Sequence, residues 1–139
     1  MSMNMLKRMS IAGSGCLVLL LISFLAPSPT TAFEITIDVA PNVLNLESQG
    51  VVVTVHTDIA YGDVDVSAVF LNGALISSWK ADNRGNFVAK FLMDEIKTLD
   101  GLIIGDYNIL TLVGATTGGV AFSGSQEIMV IDIVPKGQS

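Results

Sequence analysis

Beyond residue 32 the chain alternates apolar and polar side chains in short runs. Phe33, Ile35, Ile37 and Val39 stand against Glu34, Thr36 and Asp38, which is the two-residue period of a half-buried strand. Val51, Val53 and Val55 oppose Val52, Thr54 and His56, and this β-branched run predicts a strand over 51–57. The same period recurs where Val64, Val66, Ala68 and Phe70 alternate with Asp63, Asp65 and Ser67, and where Phe87, Ala89 and Phe91 alternate with Val88 and Lys90. Val43, Leu44 and Leu46 follow Pro41, which has no N–H to give a ladder, so they predict an edge segment. Tyr107 to Val113 predicts a strand apolar on both faces, and the long stretch Val120 to Val134 a final strand. The second contains Ser123-Gly124-Ser125, read as a bulge.

Turn residues separate these runs. Asn72-Gly73 favours the two positive φ values of a type I′ hairpin, with Leu75 to Lys80 as the returning strand. Glu47 to Gly50, Asp82 to Asn86 and Thr117-Gly118-Gly119 are further turns. Asp94 to Leu99 differs: Asp94 is a helix-capping type and Ile96 with Leu99 is an i, i+3 apolar pair, which predicts one helical turn. Seven to nine short strands with one such turn predict an all-β fold, a two-sheet antiparallel β-sandwich.

The first 32 residues have another organisation. Lys7 and Arg8 precede an uncharged apolar run, Ile11 to Leu25, and then Pro27, Pro29, Thr30 and Ala32. Basic, apolar and small-residue regions in that order are the layout of a secretory signal peptide, with Thr30 and Ala32 at positions −3 and −1 of the cut. The expected organisation is a signal peptide over 1–32 and one domain over 33–139, secreted or periplasmic or at the cell surface. An uncleaved anchor is the rival, but the strongly apolar core from Cys16 to Ala26 is shorter than the ~20 residues of a spanning helix. Cys16 lies inside that run rather than after it, which argues against a lipoprotein. Removing the signal removes the only cysteine, so disulfides are excluded and the core alone must hold the domain. Five basic residues then face thirteen acidic ones, a net charge of −8. Such a balance makes nucleic acid and anionic membrane surfaces poor partners.

Several segments together resemble a known module. They are Pro41 to Gly50 followed by Val53 and Val55, Asp65-Val66-Ser67 leading to Leu71-Asn72-Gly73, Lys90-Phe91, Leu110 to Gly114, Phe122 with Gly124-Ser125, and Ile128 with Val130. In order and spacing the chain resembles an immunoglobulin-like β-sandwich module that recurs in exported bacterial and archaeal proteins. The resemblance covers nearly all of 33–139 and implies an accessory module. Relatives carry an Asp-rich, calcium-loop-like insertion before the Lys-Phe strand. Here that stretch is only Ala81 to Asn86, it lacks alternating acidic ligands, and Arg84 stands among them. A calcium role does not carry over. Gly105-Asp106-Tyr107 suits either a tyrosine corner, with a buried hydroxyl bonded to upstream backbone, or a Tyr that merely starts a strand.

Candidate chemistry is sparse. After residue 32 there is one histidine, His56, and no cysteine, so a nucleophile–base–orienter set is not assembled and zinc lacks ligands. No catalytic residue and no cofactor is assigned, and the chain is read as a non-enzyme. Asp63 and Asp65, read as sharing a strand face, with Asp58 nearby, could offer carboxylates to Ca²⁺. Trp79 and Tyr61 could stack on a sugar, although packing accounts for them as well. The leading expectation is a module acting by protein–protein contact or self-association. Phe33, Ile35, Ile37 and Val39 form the candidate contact strand, able to add to a neighbour's sheet edge. Surplus apolar residues on Val51–Val55 and Met129–Val134 support an adhesive outer face. The alternative is an accessory module for polysaccharide or calcium.

Cleavage before Phe33 has a direct check. N-terminal sequencing of exported protein should begin at Phe33 or within about two residues of it. An intact Met1 end in the membrane fraction would overturn the assignment.

Overall fold

The structure, a computed structural model, describes residues 32–134. Residues 1–31, and with them almost all of the expected signal peptide, lie outside the described residues, as does the tail 135–139.

Among the described residues ten strands form: β1 (Phe33–Glu34), β2 (Ile37–Ala40), β3 (Val43–Asn45), β4 (Val52–Ala60), β5 (Val64–Leu71), β6 (Ala74–Leu75), β7 (Ser78–Ala81), β8 (Asn86–Leu92), β9 (Asp106–Thr116) and β10 (Ala121–Ile131). One sheet has the order β1-β10-β9-β5-β6, with β3 also on the free side of β10; the other is β2-β4-β8-β7. This is the two-sheet, all-β sandwich the alternation predicts. The pairs β1–β10 and β3–β10 are parallel, the rest antiparallel. Inward side chains from both sheets, including Val39, Val55, Leu71, Phe87, Phe91, Leu110, Leu112 and Phe122, make one buried cluster.

Two predicted strands are each divided between the sheets. The run 33–39 starts on β10, where the Ile35 N–H donates to the Ser123 carbonyl at 2.8 Å. It then crosses so that Ile37 to Ala40 pairs with Thr57 to Thr54 of β4. The chain crosses back at once, through the cis Ala40–Pro41 bond, and β3 returns to β10. The run 75–80 behaves likewise: β6 pairs with β5, and β7 with β8. These divisions raise the strand number above the expected seven to nine.

The expected bulge at Ser123-Gly124-Ser125 is absent. β10 pairs with β9 without a register break from Ala121 to Val130. Gly124 is needed for close approach instead: a Cβ there would lie 2.7 Å from the Ile35 carbonyl oxygen and 2.9 Å from Ile37 Cγ2. The register irregularities fall elsewhere, in β4 against β8 between His56 and Ala60, and in β5 against β9 between Asp65 and Phe70. Beside the first, the buried Thr57 hydroxyl donates to the Phe87 carbonyl at 2.6 Å, which gives that buried acceptor a partner.

The Asn72-Gly73 turn has φ values of 47° and 89°, as a type I′ hairpin requires. The helical turn is α1 (Met93–Lys97), which buries Met93 and Ile96. Asp94 does not cap it. The N-cap position is Leu92, which makes no side-chain cap bond, and Asp94 lies within the first turn.

The contact at Gly124 makes a definite prediction. Gly124→Ala must push the β1–β2 crossing off β10 and should cost about 1–3 kcal/mol, read as a fall of several degrees in the thermal midpoint. Gly62→Ala, where an added Cβ meets nothing within 4 Å, should stay within about 0.5 kcal/mol of the parent.

Candidate functional site

Register and burial together define the outward side chains of the β10–β9–β5 sheet. Along β9 these are Tyr107, Ile109, Thr111, Val113 and Ala115, and their partners on β10 are Met129, Glu127, Ser125, Ser123 and Ala121. The Thr111 and Ser125 hydroxyls are 2.8 Å apart, which fixes these two rows on one face. At one end Val43 extends the Met129–Tyr107 row. At the other, Phe70 and Leu75 extend the Val113 row. Tyr107, Ile109 and Leu75 are 59 %, 60 % and 57 % exposed, far more than side chains of this kind need be in a packed domain. Glu127 is the only charged side chain among the outward positions of β9 and β10.

The outer face of the other sheet contrasts with this. There β4 presents Thr54, His56 and Asp58, with Asp38 on β2 opposite His56, and Lys90 and Lys80 on the neighbouring strands. Its central apolar residue, Val88, is fully buried between His56 and Lys80; the long stem of a lysine covers apolar surface while its head stays in water. Val52 and Leu92, paired at one end, are the exposed exception. One face of the sandwich is therefore solvated and the other largely apolar.

The expected contact strand is placed differently. Ile35, Ile37 and Val39 are buried in the core, and Phe33 is half-exposed with its ring 6.0 Å from that of Phe122. The strand is used within its own two sheets: Val39 N–H donates to Gln126 Oε1 of β10 at 2.9 Å and Thr36 N–H to Asp58 Oδ1 at 3.0 Å. Of the runs expected to show surplus apolarity, Val51, Ile133 and Val134 are exposed near strand ends, whereas Val53, Val55 and Val130 belong to the core. The strand read as apolar on both faces, β9, is the one at the centre of the exposed patch.

The three aspartates do not meet as one group. Asp63 lies in a 3-10 turn, Tyr61–Asp63, not on the strand with Asp65. Asp65 faces outward on β5, and its Oδ1 accepts from the Ser67 N–H and hydroxyl. Asp58 and Asp63 do share an open cavity of about 570 Å³ with Phe33, Glu34 and Thr117. Among the described residues no group of three His, Cys, Asp or Glu side chains is placed to hold a metal ion. Trp79 lies on the edge strand β7 opposite Ala89, while the Tyr61 ring packs 6.3 Å from Phe87, so the two do not form one stacking platform. Tyr107 is exposed and starts a strand; it is not a buried tyrosine corner.

Two carboxyl groups depart from ordinary titration. Asp82 closes the β7–β8 turn by accepting from the Asn86 and Arg84 N–H groups, which lower its pKa. Glu47 is raised, first by a hydrogen bond to Asp132 and then by that residue's charge, with Lys97 opposing. Comparison with family models, with curated proteins and with solved structures finds no match.

The Glu47 shift has a sign that can be checked. A raised pKa means the folded state holds the proton more tightly than the unfolded one. Its stabilising contribution is thus full below the ordinary value of 4.5 and is lost as pH rises through the raised folded value. Asp132→Asn should bring the Glu47 midpoint, read by carbon-13 NMR, back toward 4.5. An unchanged midpoint would refute Asp132 as the cause of the shift.

Proposed function

We propose that this protein is an exported, non-enzymatic immunoglobulin-like module that works by protein contact, secreted or held in the periplasm or at the cell surface. The observation that carries the reading is the apolar outer face of the β10–β9–β5 sheet. Exposed apolar surface of this extent in a domain otherwise rich in carboxylates favours burial against another protein. A flat sheet face offers shape for such a contact, with aromatic and aliphatic side chains at its centre.

Strand addition gives way to face packing as the mode of contact. Outer strands β1, β3 and β6 have two, three and two residues, and β2 and β7 have four each. Edges this short leave little ladder for a guest strand. The second reading, an accessory module for polysaccharide or calcium, has in its favour the cavity shared by Asp58 and Asp63.

A photo-reactive residue at position 109, in the full-length chain expressed in its native cells, should give a discrete cross-linked adduct. The same residue at position 54, on the solvated face, should give none. Equal labelling from both positions, or none from 109, would remove the contact reading and leave the ligand-binding one.

A further inference from the structure

Charge is divided between the two sheets as sharply as apolarity is. The described residues hold four basic side chains: Lys80 on β7, Arg84 in the β7–β8 turn, Lys90 on β8 and Lys97 in α1. All four belong to the β2-β4-β8-β7 sheet or to segments that join or leave its strands. No strand of the other sheet carries a lysine, an arginine or a histidine. Its outer face carries carboxylates instead. Glu34 stands beside Ser123, Glu127 beside Ile109 and Asp65 beside Ala115, and all three are exposed. Asp65 is also fixed in direction, because its Oδ1 accepts from both the N–H and the hydroxyl of Ser67.

These carboxylates border the apolar side chains. Strand spacing and rise put Glu34 and Glu127 roughly 14 Å apart, and Asp65 roughly 16 Å from Glu34 across three strands. Val113 falls inside the triangle they mark. Ile109, Phe70 and Leu75 lie along its side from Glu127 to Asp65.

Resting on the contact reading above, we infer that the partner is a different protein, whose contact surface is apolar at its centre and carries lysine or arginine around it. Covering this face takes its carboxylates out of bulk water, and a carboxylate left there without a cation opposes association. The sheet has no base of its own to offset them, so the basic groups come from the partner. The separations of roughly 14–16 Å exceed the Debye length of about 10 Å at 0.1 M salt, so three separate cations are engaged and not one. Charge of this sign speeds the approach of a basic surface and rejects an acidic one. Two copies meeting through this face bring carboxylates toward carboxylates, and an anionic lipid surface is repelled in the same way.

The test keeps the photo-reactive residue at position 109 of the full-length chain in its native cells. The adduct is read by its yield, at matched protein level, and by mass spectrometry. Glu34→Gln, Asp65→Asn and Glu127→Gln together should lower the yield by about fivefold or more, the combined weight of three exposed ion pairs. Removing the same charge elsewhere, with Asp38→Asn, Asp94→Asn and Glu95→Gln, should leave it within about twofold. Ser123→Lys alone should lower it as well, because it sets an ammonium among the partner's cations. The cross-linked peptide should come from another protein and hold Lys or Arg close to the labelled residue. A yield that ignores the three face substitutions, or that Ser123→Lys raises, overturns the inference and leaves the contact reading in place. An adduct with a second copy of this chain does the same. An adduct with lipid alone, or no adduct from the parent, overturns both.

Discussion

The sandwich depends on how its first strands are held between two sheets. Residues 33–45 touch β10, leave it for β4 and come back, and two contacts on that path need a particular residue on β10. Gly124 lets the Ile35 carbonyl come close, where any Cβ would collide. Two residues on, Gln126 accepts the Val39 N–H, a part-buried donor on the edge of its sheet with no strand partner. A glycine and a glutamine in a core strand both look like local weaknesses. Here they fasten one sheet to the other along the open side of the sandwich.

The strands were legible because a sandwich keeps one shared interior. That same property hides the sheet changes. Ile35, Ile37 and Val39 all point into the common core, first from one sheet and then from the other, so their period never breaks when the hydrogen-bonding partner does. Gly124 misleads because close approach and bulging leave the same residue in the sequence. The aspartates mislead because a spacing of two places Asp63 and Asp65 on one strand face, whereas a 3-10 turn separates their settings. The apolar patch was half visible: β9 is apolar on both faces in sequence, but only the register shows that Met129, Val43, Phe70 and Leu75 lie beside it.

The two outer faces make a physical comparison within one molecule. Both carry apolar side chains at their centres. On β8, Val88 is covered by neighbours that have long stems and charged heads. On β9, Ile109 has Glu127 beside it and Val113 lies between Ser123 and Phe70, and both stay exposed. Exposure on this sheet follows from the choice of neighbours rather than from the apolar residues themselves.

The pairing of the first strands with the last bears on the order in which the molecule can assemble. β1 and β3 have no sheet partner until β10 exists, and β10 ends at Ile131. A chain emerging lengthwise, from a ribosome or any narrow passage, can form the β2–β4, β4–β8 and β5–β9 pairs early, but β1 and β3 stay unclaimed until nearly all the rest has followed. Closure is therefore a long-range event and the slow kind of contact. The domain becomes a finished object only when its tail is free.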